Sequence, residues 1–315
     1  MKYSLILGGG GFIGANLVRE YIMQGKNVII FDLFNGTNSN KFADIIEQVI
    51  IINGKLSDEE LLRNLFFKYE IDEVIHLISS LIPSSTLEGF VAEQLNVILP
   101  TIKLIEIMVK NNVRRLIYLS SGGTVYGNYK EDGYYNEHDS LKPINYYGLS
   151  KCNLEEIIKF EGRKGNIDYL ILRPSNPFGK FQNINGKQGL IAVILGKMIN
   201  GQEIEIWGDG YSIRDYIPIE YLGQCISKLS KLNTKNETFN IGSGVGFSVN
   251  EVIEMIEKTL HVNLKITYKN ARNVDTNKLI LNIDKMKNTI DVEEIDFNNS
   301  ILSFYNYLLE DQDGK

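Results

Sequence analysis

Tyr147 and Lys151 stand four residues apart in the stretch Asn145–Lys151. On a helix that spacing puts both side chains on one face. A phenol titrates at about pH 10 and is a poor base at neutral pH. A nearby ammonium, together with a positively charged nicotinamide ring, favours the phenolate. Such a pair suits proton exchange with a sugar hydroxyl while hydride moves to or from the ring, with Lys151 also holding the cofactor ribose. By itself the spacing is common by chance and fits a solvated helix face; a second element upstream decides.

That element is the run Gly8–Gly14, in which Gly8, Gly11 and Gly14 are spaced three apart with Phe12 and Ile13 between the last two. It follows an apolar run that reads as a strand and opens a stretch that reads as a helix. Glycines let the backbone turn tightly and approach a pyrophosphate, and the helix N-terminus adds free N–H donors. Asp32 closes the next apolar run. A carboxylate there accepts the hydroxyls of an adenosine ribose and repels a 2′-phosphate. No Lys or Arg follows at Leu33, Phe34 or Asn35. The reading is NAD, with NADP or NADPH less favoured.

These groups need a scaffold. Short Ile/Leu/Val-rich runs at Tyr3–Leu7, Asn27–Phe31, Val49–Ile52, Glu73–Leu77, Arg115–Leu119 and Tyr169–Arg173 alternate with amphipathic stretches. The stretches include Phe12–Gln24, Asp58–Tyr69, a long one over Leu87–Asn111, and Tyr146–Phe160. Continuous apolar strands alternating with helices predict an α/β fold, a doubly wound parallel sheet covered on both faces. After Pro174 the texture changes. A loop is expected over Ser175–Gly189, then helices near Leu190–Asn200, Glu220–Leu232, Ser248–Leu260 and Ser300–Leu309, and a strand near Ile204–Trp207. The chain thus divides into 1–174, a dinucleotide-binding domain, and 175–315, a smaller α/β lobe, with room for segments to return to the first.

Composition narrows the classes. With 315 residues, 43% of them hydrophobic, the chain can bury a large core without disulfides. Cys152 and Cys225 offer no disulfide framework, and three histidines (His76, His138, His261) make a His-rich metal site a poor reading, so no metal is expected. A net charge of −6 and a pI of 5.3 argue against nucleic-acid binding. No run is long enough to span a membrane, and the N-terminus lacks a cleavage-site pattern, so a cytoplasmic location is expected.

In this order and context the motifs resemble the extended short-chain dehydrogenase/reductases, in particular the nucleotide-sugar epimerases. The pieces that match are the glycine cradle, Asp32, His76-Leu77, Asn96, Ser120–Gly127, Tyr147 with Lys151, Arg173–Asn176, Gly208–Gly210, Arg214–Tyr216 and Asn240–Gly242. The resemblance implies a Rossmann domain that binds NAD, with Leu56 and Asn96 among the cofactor contacts. It implies a C-terminal lobe that binds the diphosphate of an activated sugar through Asn176, Arg214 and Arg272, with Gly189 and Leu190 near the nucleotide. Members often pair two helices across a two-fold axis. Here Ile98, Ile102 and Ile105, with Leu154, Ile157 and Ile158, supply candidate faces for a homodimer; the competing reading is burial within one subunit.

Three positions depart from the pattern. Where the family carries a Ser or Thr that holds the reacting sugar oxygen, this chain has Gly122; Ser121 and Thr124 are the substitutes, with Ser121 slightly preferred. Lys55 replaces an acidic residue expected beside adenine, and a lysine cannot accept a hydrogen bond. Ile78 replaces a small residue, either narrowing the nicotinamide floor or filling core. Dehydration and decarboxylation each want an acid after Gly122, and Gly123-Thr124 provides none. Two readings remain: a UDP-hexose (UDP-glucose or UDP-GlcNAc) 4-epimerase, and a 4-ketoreductase for dTDP-4-dehydro-6-deoxyglucose using NAD(P)H. A non-catalytic NAD-sensing protein has no use for Tyr147 and Lys151.

Overall fold

The computed structural model describes residues 1–34, 38–186, 188–270 and 278–313. The first half runs β1 (Lys2–Leu7), α1 (Phe12–Met23), β2 (Asn27–Asp32), β3 (Val49–Asn53), α2 (Glu59–Lys68), β4 (Glu70–His76) and α3 (Leu87–Glu93). A π turn (Gln94–Ile98) separates α3 from α4 (Leu99–Lys110). Then follow β5 (Arg115–Leu119), α5 (Gly122–Val125), β6 (Tyr134–Tyr135), α6 (Tyr146–Arg163) and β7 (Asp168–Pro174). The second half runs β8 (Asn176–Phe178), α7 (Leu190–Ile199), β9 (Ile204–Trp207), β10 (Ile213–Pro218), α8 (Ile219–Lys231), β11 (Glu237–Ile241) and β12 (Gly246–Ser248). It ends with α9 (Val249–Leu260), β13 (Ile266–Lys269), β14 (Lys278–Leu281), α10 (Asp284–Lys287) and α11 (Phe297–Asp313).

Seven of the described strands form one sheet in the order β11-β7-β5-β4-β1-β2-β3, every neighbouring pair parallel. Successive side chains of a strand point to opposite faces. Leu5, Leu7, Ile29 and Phe31 accordingly pack with Leu62, Leu104 and Leu154 of α2, α4 and α6. Ile6, Val28 and Ile30 pack with Leu17 and Val18 of α1 and Leu222, Ile226 and Leu229 of α8. Burial on both faces is why these strands read as unbroken apolar runs. The order reverses between β1 and β4, and in such sheets ligands bind at the carboxyl ends of the strands flanking that crevice.

The halves interleave. Helix α8 and strand β11 lie beyond Pro174 and belong to the large sheet and its cover, whereas β6 comes from the first half and pairs with β14. The second sheet has the order β12-β10-β14-β6, with β8 on β10. A third apolar cluster joins Ile191 and Leu195 of α7, Ile204 of β9, Val252 of α9 and Phe304 of α11.

Two expectations change. The helix expected over Leu87–Asn111 is broken by the π turn at Gln94–Ile98, and a short strand, β8, occupies part of the expected loop after Ser175. Most of the residues expected to form a dimer face are turned inward, Ile102 being half-buried. Ile98, Ile105, Leu154 and Ile158 are buried in the chain's own core, and Ile157 packs beside them. The exposed apolar side chains from α3 to the start of α4 are Leu87, Val91, Leu95 and Leu99; Val109 further along α4, and Leu149 and Phe160 on α6, are exposed as well. In a straight α-helix a spacing of four drifts around the axis. The π turn, with its longer i→i+5 closure, falls where this stripe needs realignment.

Candidate active site

The cradle sits at the switch crevice. Gly8 has φ +81° and donates its N–H to the Phe31 carbonyl (2.8 Å), which turns the chain sharply off β1. At Gly14 a Cβ would stand 2.4 Å from the Gly8 oxygen and 2.5 Å from Gly9 Cα, so only glycine lets α1 start this close to the loop. Gly11 is the N-cap of α1 and provides no side-chain cap, so the amides at Phe12, Ile13 and Gly14 face no competing side-chain acceptor there. Asp32 lies at the rim: Oδ2 accepts from Gly10 N (2.7 Å) and Oδ1 from Leu33 N (2.6 Å). A backbone cradle that a Cβ would fill, an uncapped helix start and a rim carboxylate fit a dinucleotide.

A cation stands at that rim as well. Lys41 Nζ donates to the Gly10 carbonyl (3.1 Å), and its charge partly offsets the burial that raises the Asp32 carboxyl's pKa. Sequence reasoning looked for a basic residue only directly after Asp32, and nothing in the local pattern brings Lys41 back to it.

The other cofactor candidates are placed as follows. Leu56 is buried in the core on the α2 side of the sheet, while Lys55 is exposed. Ile78 packs on the Gly8 corner, where a Cβ on Gly8 would meet Ile78 N at 3.1 Å and Cγ1 at 3.2 Å. Asn96 lies in the π turn, exposed, with its amide held by the Ala92 carbonyl (2.9 Å).

Helix α6 starts at Asn145, whose side chain caps the Gly148 amide at 2.8 Å. Tyr147 therefore sits in the first turn and Lys151 one turn further in. Lys151 is buried, donates Nζ to the Leu119 carbonyl at the end of β5 (2.8 Å), and lies over the rings of Tyr118 (5.1 Å) and Tyr147 (5.7 Å). Burial pushes its pKa down to about 8, against the pull of Glu93 and Glu155. Burial likewise raises the Tyr147 phenol, while a hydrogen bond with Ser121 works to lower it. In the protein by itself, without the nicotinamide charge that the expectation also invoked, burial sets the direction and Tyr147 holds its proton.

Ser121 is the N-cap of α5 but spends no hydrogen bond on capping. Ser120 points the other way, donating to Glu155 Oε1 (2.6 Å). A Cβ at Gly122 would meet Leu281 Cδ1 at 2.5 Å and the Arg173 carbonyl at 2.9 Å. A side chain at 122 would thus press into core, while the residue before it reaches Tyr147. Thr124 Oγ1 is buried and finds no partner among the described residues.

Of the substrate candidates, Asn176 comes closest to this segment. A Cβ on Gly123 would meet Asn176 Oδ1 at 3.5 Å, and Asn176 Nδ2 donates to the Asp215 carbonyl (2.8 Å). Gly189, at φ +85°, starts α7 ahead of Leu190. Arg214 on β10 donates Nη1 to the Ile213 carbonyl (2.9 Å). Arg272 lies outside the described residues.

Several motif residues prove to be framework. Arg173 pairs with Glu155 and donates to Tyr126 Oη (2.9 Å), and Tyr126 donates to Asn240 Oδ1 (2.6 Å). Asp215, fully buried, accepts from Ser243 N (2.9 Å), Ser243 Oγ (2.8 Å), Gly244 N (3.3 Å) and Leu281 N (3.3 Å). These contacts join β7, α6, β11 and the small sheet around the reacting helix.

A doubly wound sheet with a glycine cradle at its switch point, a rim aspartate and a Tyr–Lys pair one turn apart on a helix is the arrangement of the extended short-chain class. The model of the NAD dependent epimerase/dehydratase family matches residues 4–242, and the chain belongs to that family. A protein of Methanocaldococcus jannaschii, provisionally named UDP-glucose 4-epimerase, is 34% identical over 307 residues, covering 96% of this chain and 97% of its own. A dTDP-4-dehydro-6-deoxyglucose reductase of Escherichia coli is 31% identical over 285 residues, 89% of each chain. The crystal structure of a UDP-glucose 4-epimerase from Thermotoga maritima with UDP-glucose superposes with a TM-score of 0.92 at 26% identity, covering 99% of this chain and 100% of that one. Among the described residues no helix is long and apolar enough to cross a membrane.

Proposed function

We propose that the protein is a nucleotide-sugar 4-epimerase acting on a UDP-hexose. The observation that carries this reading is that Tyr147 has Lys151 over its ring on one side and Ser121 as a hydrogen-bond partner on the other, with glycines at 122 and 123 and no carboxylate in α5. When bound, NAD supplies the hydride exchange that no side chain can perform. Gly8–Gly14 and Asp32 hold its adenosine diphosphate half, and Lys151 its second ribose. Ser121 holds the sugar O4. Tyr147 would act as the phenolate, its own proton having left to solvent once a positive nicotinamide charge binds beside it; it takes the proton from that oxygen and later returns it, so its proton count is unchanged over a cycle. Asn176 and Arg214 bind the diphosphate, and leave the sugar free to present either face to Tyr147.

The names of the M. jannaschii and T. maritima relatives support this substrate class. A second reading, a 4-ketoreductase acting on a dTDP-linked 4-keto-6-deoxysugar, is favoured by the E. coli relative. In that case Tyr147 gives its proton once per turnover and recovers it from solvent. One assay separates the two: purified protein with UDP-glucose, UDP-GlcNAc or dTDP-4-keto-6-deoxyglucose, with and without NADH or NADPH. Interconversion of UDP-hexoses without added reduced cofactor is the expected result. Stoichiometric NADH loss with the keto sugar overturns it. We further read the exposed Leu87–Leu99 stripe, beside Leu149, as the contact face of a homodimer.

A further inference from the structure

Glu93 carries no signal in the sequence; it is one acidic residue in an amphipathic helix. In the structure it ends α3 with 1% of its surface exposed. A buried carboxylate is costly unless donors surround it. Here the donors come from two residues: Ser79 Oγ (2.9 Å) reaches Oε1, and both Ser80 N (2.9 Å) and Ser80 Oγ reach Oε2. No ion pair accompanies it among the described residues.

The segment it holds matters. Ser79 and Ser80 follow Ile78 off the end of β4, at the switch crevice, and Ile78 rests on the Gly8 corner of the cradle. On the other side α3 is docked on the start of α6, where Phe90 stacks on Tyr146 with centroids 5.3 Å apart and planes at 29°. Glu93 therefore bridges the cradle side of the crevice and the helix turn that carries Tyr147. The π turn begins at the next residue; such turns frequently mark functional sites.

We infer that Glu93 is a positioning residue for the reacting pair: its carboxylate fastens the Ile78–Ser80 turn to α3 and keeps a fixed negative charge beside Tyr147 and Lys151. This rests on the reading of those two residues as the reacting pair. The charge works on both in one direction, raising the Tyr147 phenol and the Lys151 ammonium. Other groups facing them do not duplicate it. Glu155 is neutralised by Arg173 and Lys159. His76 is uncharged, its pKa driven to about 3 by burial and by Lys151, and burial keeps Tyr118 a neutral phenol.

The test needs no sugar substrate. The phenolate absorbance of Tyr147 is isolated by subtracting the titration of Tyr147→Phe. In Glu93→Gln, which keeps an acceptor oxygen and removes the charge, the midpoint is expected to fall by at least about half a pH unit. In Glu93→Ala, which cuts the tether, the Kd for NAD measured by calorimetry is expected to rise about ten-fold, a loss of about 1.4 kcal/mol. Should that variant fail to fold, Ser79→Ala severs one limb of the tether and is expected to raise Kd about three-fold. A Gln titration that superimposes on the parent's, or an NAD affinity unchanged when the tether is cut, overturns the inference. The proposed activity fails by a different observation, undiminished turnover in Tyr147→Phe.

Discussion

Arg173 and Glu155 form a two-pronged ion pair in the interior, with Nε to Oε1 at 2.9 Å and Nη2 to Oε2 at 2.6 Å. It joins the end of β7 to α6 one turn beyond Lys151, so it fixes the depth at which the reacting helix sits on the sheet. Burial works to raise the Glu155 carboxyl, but Arg173, Lys159 and Ser120 outweigh it and the net shift is downward. Breaking one side of such a pair leaves an unpaired buried charge, which costs about 3–5 kcal/mol. Arg173→Met is expected to lose that much in chemical denaturation, and Arg173→Met with Glu155→Gln to lose clearly less than the sum of the single changes. Because the folded-state pKa of Glu155 lies below its unfolded value, the pair's stabilisation is present at neutral pH and is lost as pH falls through the depressed value. Stability of Glu155→Gln measured against pH should therefore show a shallower acid decline than the parent's.

Ser121, not Thr124, should carry the hydroxyl function. Ser121→Ala is expected to lower kcat by about ten-fold to a hundred-fold, in the range of a positioned proton-handling group. Thr124→Ala should stay within about three-fold. Moving the hydroxyl by one residue should not help: Gly122→Ser in the Ser121→Ala background puts a Cβ against Leu281 and the Arg173 carbonyl. That variant is expected to be less stable by about 1–3 kcal/mol and no more active. Steady-state kinetics with thermal unfolding decides both points.

Lys151 sets a pH limit on cofactor binding. Its pKa is pushed down to about 8, so the ammonium proposed to hold the ribose is largely present at pH 7 and lost above pH 9. The Kd for NAD, measured by fluorescence titration, is expected to be flat below neutrality and to rise several-fold above it. In Lys151→Met the affinity should be weaker throughout and lack that alkaline rise.

The outer stripe on α3 and α4 should govern assembly. Leu95→Glu places a charge at the centre of the Leu87–Leu99 line, where Leu95 is 60% exposed in the single chain. Sedimentation should show a dimer for the parent and a monomer for the variant, with unfolding temperature measured at low protein concentration little changed. A variant that sediments like the parent removes this face from consideration.

Much of this was legible in the residues themselves. The large sheet could be read because its strands are buried on both faces and so appear as unbroken apolar runs. The cradle could be read because glycine at positions 8 and 14 answers a local demand of backbone geometry. The Tyr147–Lys151 pair could be read because a helix converts a spacing of four into proximity. The strands of the second half were less visible. Residues Ile213–Pro218 mix Arg, Asp and Tyr among apolar side chains, and they form β10 because β8, β12 and β14 pair with them.

The sequence by itself determined the sheet, the glycine cradle and the placing of Tyr147 and Lys151 on one helix face, since each follows from residues close together in the chain. Only the tertiary structure decided which hydroxyl meets Tyr147, that Lys41 stands beside Asp32, that the isoleucine faces of α4 and α6 are core, and that Glu93 is interior. Those answers depend on which distant segments pack together: Leu281 fills the space beside Gly122, and Ser79 and Ser80 supply the donors that let a carboxylate be buried. Local propensity and periodicity constrain a residue's own element; desolvation and side-chain contact are set by whatever the fold brings against it.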